Sequence, residues 1–112
     1  MPDWTPASAQ ALVSKDAGGS NRSYCLRILS GGLQALYVSI DGTATSEATA
    51  STLPTVSDYA NFGVRAKRVS ATGTVTFETS TDGVNWSTLG TPQATTAGAI
   101  FASDTAVMKI VA

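Results

Sequence analysis

A chain of 112 residues has the size of one domain, and its net charge of −1 leaves no global field to hold a polyanion, which argues against nucleic-acid binding. Only 13% of its residues are charged, roughly half the usual share, so its surface is polar without being strongly ionic. With no histidine and one cysteine it lacks the commonest general base and metal ligand, and it can build no Ser-His or Cys-His nucleophile, zinc cluster or intrachain disulfide.

Residues 1–21 differ from the rest. They hold Pro2, Trp4 and Pro6, followed by SAQALVSK, where Ala9, Leu12 and Val13 would share one side of a helix too short to persist in water. The expected form is an extended arm with at most one turn, and Trp4 needs a surface to dock on, either its own sheet or a neighbouring subunit. The same stretch lacks the basic and apolar regions of a secretory signal, so the chain is expected to stay soluble in the cytoplasm where it is made, and the sequons at Asn21 and Asn85 are discounted.

From Arg22 onward the period is two. Tyr24, Leu26 and Ile28 fall on one face, as do Leu36, Val38 and Ile40, and the Ser30-Gly31-Gly32 turn between them suits a hairpin. Cys25 lies inside the first of these runs and reads as a buried small hydrophobe. The Thr/Ser/Ala tract after Asp41-Gly42 contains Pro54 and suits an edge strand or a long surface loop. Next, Phe62, Val64 and Ala66 oppose Arg65 and Lys67 across a half-buried strand, and Val75 and Phe77 oppose Thr76 and Glu78 across another. The turn TDGVN uses Asp82 as an acceptor for nearby backbone and Gly83 for a left-handed residue, after which Trp86 opens the return strand. AIFAS and AVMKIV read as closing strands. Seven or eight short strands, with a turn roughly every ten residues, predict an all-β fold over residues 22–112: a single antiparallel β-sandwich, of which a jelly roll is one arrangement.

No chemistry emerges from the remaining polar residues. The eight acidic residues show no pairing that would define a glycosidase cleft, and STDGVN lacks the alternating acids of a calcium loop, so neither enzyme nor cofactor nor metal is expected. Arg65, Lys67 and Arg68 form the densest basic cluster; they read as a solvated strand face or as an ion-pairing contact to an acidic neighbouring subunit. Trp86 either caps the core or anchors a contact.

The motifs LYVSIDG, FGVRAKRVSATGTVTFE and STDGVNW, spread over residues 35–86, resemble the small β-sandwich virion proteins of tailed bacteriophages. That resemblance implies a head decoration or cement protein on the capsid exterior, bound to the major capsid protein and to copies of itself, often as a trimer. It also implies that Pro2, Trp4 and Pro6 reach a neighbouring subunit while a sheet edge or Arg65 and Lys67 meet the capsid, and that deleting residues 1–20 leaves the sandwich folded. The alternative is a tail-associated or glycan-binding adhesin that uses the hairpin from Asp82 to Trp86.

Overall fold

The computed structural model describes residues 3–57, 60–101 and 108–110, the last three as backbone. It is all-β, with two antiparallel sheets facing each other. The first half of the chain makes a meander of β1 (Gln10–Asp16), β2 (Arg22–Ile28), β3 (Gln34–Val38) and β4 (Ser46–Thr49). In the second sheet, β5 (Gly63–Arg68) pairs with β6 (Thr74–Ser80), whose other side carries the short strands β7 (Ser87–Thr88) and β8 (Gln93–Ala94). The chain then returns to the first sheet as β9 (Met108–Ile110), giving the order β4-β3-β2-β1-β9. Two successive meanders with one returning strand differ from a jelly roll, in which consecutive strands alternate between sheets.

The alternation read from the sequence places the core. Leu36, Val38, Ala48, Ala50, Val75, Phe77 and Leu89 are buried together between the sheets, with Tyr24, Leu26, Ile40, Ala66 and Ile100 packed around them. The hairpin register Cys25↔Tyr37 and Leu26↔Leu36 keeps the apolar residues of β2 and β3 on one face. The Thr/Ser/Ala tract supplies β4, an edge strand, as expected. AIFAS is not a strand over residues 99–101, and residues 102–103 lie outside the described residues.

The arm expectation needs correction. Residues 10–16 are strand β1, hydrogen-bonded to β2 on one side and to β9 on the other. Before β1, Trp4 is 5% exposed, its indole N–H donates to the carbonyl of Ala60 at 3.1 Å, and its ring meets Phe62 edge to face at 5.2 Å. Pro6 is buried too, and its carbonyl accepts from the N–H of Gly31 at 3.0 Å while that of Ala7 accepts from the Ser30 hydroxyl at 3.0 Å. Trp4 thus docks on its own sandwich, because apolar area of that size is stabilised wherever it is first covered.

One inward position breaks the pattern. Gln34 precedes Leu36 and Val38 on the inner side of β3, is 1% exposed, and neither its side-chain oxygen nor its nitrogen has a hydrogen-bond partner. A buried amide without partners carries its desolvation cost uncompensated. Gln34→Met, which keeps length and removes both polar atoms, is expected to raise stability by roughly 1–3 kcal/mol in a urea titration. An unchanged or lower midpoint would mean that water reaches the amide in the folded chain.

Candidate functional site

The outer face of β5 and β6 gathers three of the seven residues singled out from the sequence, Arg65, Lys67 and Trp86. Antiparallel register sets Arg65 opposite Glu78 and Gly63 opposite Ser80. Arg65 donates from Nε to Oε1 of Glu78 at 3.0 Å and from Nη2 to Oε2 at 3.4 Å, while Lys67 Nζ approaches the same Oε1 at 3.1 Å. Two cations therefore share one carboxylate, and a positive charge is left over. Hydrogen bonds from Arg65 first and Lys67 second hold the Glu78 carboxyl below its ordinary range. The cation side chains stay open to solvent, at 42% for Arg65 and 61% for Lys67.

Trp86 completes this face. The guanidinium carbon of Arg65 stands 4.3 Å from the centre of its ring, a cation–π contact, and a Cβ at Gly63 would lie 3.0 Å from its Cη2. The ring thus lies over β5, where the absence of a side chain at Gly63 makes room for it. Arg68 belongs elsewhere: its Nε donates to Thr95 Oγ1 at 2.8 Å and its Nη2 to the Thr96 carbonyl at 2.6 Å, tying the end of β5 to the segment after β8. The basic cluster of the sequence is therefore split, with two residues on the platform and one in the scaffold. Trp4 and Pro6 sit apart in the packing described above, and Pro2 lies outside the described residues.

Beside the platform, the hairpin tip is organised around Asp82. Its Oδ1 accepts from the N–H groups of Val84 and Asn85 at 2.8 Å each and from the Ser80 hydroxyl at 2.9 Å, and Oδ2 accepts from the Asn85 amide at 2.9 Å. Gly83 has φ 76°, the left-handed conformation that closes the turn. These bonds, that from the Asn85 backbone first and Val84 second, hold the Asp82 carboxyl far below the usual carboxylate range. A depressed folded-state pKa stabilises the turn above the unfolded value near 3.9 and loses that contribution as pH falls toward the folded value. The Asp82 carboxyl carbon is expected to titrate well below the exposed carboxylates by NMR, and Asn85→Ala to move its midpoint upward. An ordinary midpoint in the unaltered chain would contradict the turn geometry.

Sequence reasoning missed a second polar cluster, on the outer face of the first sheet. Arg27 Nη2 meets Glu47 Oε2 at 2.6 Å and its guanidinium stands 5.3 Å from the Tyr37 ring centre, while the Tyr37 hydroxyl donates to Asp16. With Arg22 and Thr45 these residues line an open depression of about 370 Å³. Burial, followed by the bond to Asp16, pushes the Tyr37 phenol upward, and burial pushes up the thiol of Cys25, its cross-strand neighbour. The members come from four strands, so no local motif announces them; the signal available was hairpin register, which pairs Cys25 with Tyr37 once the Gly31-Gly32 turn is fixed. Arg27 and Glu47 engage each other here, Asp16 accepts from Tyr37, and Arg22 donates to the Thr43 carbonyl at 3.4 Å. No family model matches the chain, and comparison with curated proteins and with solved structures returned no match.

Proposed function

We propose that this chain is a structural virion protein of a tailed phage, a capsid decoration or cement protein that stabilises the head by binding across shell subunits on the particle exterior. The observation that carries this reading is the platform of Arg65, Lys67 and Trp86. Its side chains are held by Glu78 and by each other, project from a sheet margin, and leave one positive charge uncompensated. Groups fixed in this way pay little ordering entropy on contact, which suits a docking surface. The partners in this reading are the major capsid protein and other copies of the chain, a trimer being the assembly that the sequence resemblance implies. Many modest contacts on a lattice would hold by multivalency what one would not.

The adhesin alternative asks Trp86 to stack on a sugar, and one face of its ring already carries Arg65. The deciding test is the copy number of the chain relative to the major shell protein in purified particles from its source, measured by quantitative mass spectrometry. A simple ratio to the shell protein is the expected result; a handful of copies would move the chain to the tail, and none would end the virion reading.

A further inference from the structure

The second sheet ends at β5, and nothing pairs with that edge among the described residues. Which backbone groups face outward follows from the ladder. The Val69 N–H donates to Thr74 at 2.9 Å, so hydrogen-bonded pairs recur at every second position, at Lys67 with Thr76 and Arg65 with Glu78. The Leu89 N–H, donating to Phe77 at 2.8 Å, confirms the phase by showing that Phe77 points away from β5. The N–H and C=O groups of Val64, Ala66 and Arg68 consequently point out of the edge.

β6 packs over β3 and β4 through Phe77, Val75, Val38 and Ala48, and at the far margin β8 meets β4, where the Thr96 N–H donates to Ser46 Oγ at 2.9 Å. Ala66 on β5 joins the same core, whereas no residue of β1 belongs to it. β1 is accordingly half-buried from Ala11 to Asp16, with Val13 in register with Leu26 and Ile110. An added strand beside β5 would satisfy the edge.

We propose that the β5 edge is a strand-addition site that takes an extended acidic segment of a partner protein. The proposal rests on the docking reading above for the existence of a partner, and it names the partner's chemistry. An incoming strand in the sheet sends alternate side chains to the two faces. On the inner face it meets Val64 and Ala66, which asks for apolar residues. On the outer face it lies beside Arg65 and Lys67, whose single shared carboxylate leaves positive charge to be met by Glu or Asp. A second copy of β5 fits poorly. Every antiparallel register that pairs the outward groups of Val64, Ala66 and Arg68 with their own copies sets Arg65 or Lys67 opposite Arg65 or Lys67, and like charges directly opposite are destabilising.

The test uses the whole chain and two short synthetic peptides, one alternating valine with glutamate and one alternating valine with lysine. The acidic peptide is expected to bind more tightly and to slow amide exchange at Val64, Ala66 and Arg68. Ala66→Pro removes an outward N–H without touching the β6 ladder, a substitution tolerated on edge strands, and should weaken that binding by about tenfold with the fold retained. Lys67→Gln should narrow the gap between the two peptides. Equal binding of both peptides, unslowed exchange at these amides, or a dimer in sedimentation that Ala66→Pro dissolves would overturn the proposal. Particles that carry the Ala66→Pro chain at full occupancy would also overturn it while leaving the decoration reading standing.

Discussion

A chain lacking residues 1–16 is expected not to fold. Its circular dichroism and amide dispersion in NMR should be those of an unfolded polypeptide at temperatures where the whole chain is native. The deletion removes β1, which lies between β2 and β9 in the first sheet, so β2 becomes an edge and β9 loses the strand it pairs with. It also removes Trp4, whose burial against Phe62 and Ala60 is of the kind that costs about 3–5 kcal/mol to truncate. Domains of this size hold about 5–15 kcal/mol in total, so one such side chain and a seven-residue strand together consume the margin. Were residues 1–16 an arm for a neighbouring subunit, the shortened chain would keep its dispersion and melt near the whole chain. That result would overturn the placement of β1.

The sequence made the arm look plausible for a physical reason. Period-two reading works where one face of a strand is buried without interruption, as at Leu36 and Val38 or at Val75 and Phe77, and the core strands were legible for that reason. β1 carries two register shifts, between Ala11 and Val13 and between Lys15 and Asp16, so its apolar residues Ala11, Leu12 and Val13 run consecutively instead of alternating. A bulged strand with no fully buried residue looks like a weak helix or a tether. β8 escaped notice because two residues carry no period at all. Turn chemistry was the most legible level: Asp82, Gly83 and Asn85 act as their residue types require, since an Asx turn is local. The platform was half legible. Arg65, Lys67 and Trp86 could be singled out by type, but their joining through Glu78 depends on the register of β5 with β6, and the departure of Arg68 to Thr95 depends on where β8 ends. The cluster around Tyr37 carries no local motif, because its parts come from four strands and meet only across the meander, so hairpin register was the one signal that led to it.

Phe77→Ala is expected to cost about 3–5 kcal/mol and to lower Tm by roughly 15–30 °C. Phe77 is 1% exposed at the middle of β6, and its buried companions are Leu36, Val38, Ala48, Ala50, Val75 and Leu89. The cost of such a truncation depends on whether the surroundings can collapse into the space. Here two of the companions are alanines and two are valines, stiff or short side chains on strands whose backbones are fixed by cross-strand bonds, so the cavity stays open. Thermal melts followed by near-ultraviolet circular dichroism give the measurement, and a loss under about 1 kcal/mol would mean that the facing sheets relax in a way this packing forbids. The same variant separates scaffold from surface. Phe77 precedes Glu78 on β6 and points to the opposite face, so below its lowered Tm the altered chain should still present Arg65, Lys67 and Trp86 unchanged. Binding retained in the cold and lost on warming, in step with the melt, would show that the contact needs the folded sandwich and does not use the Phe77 side chain.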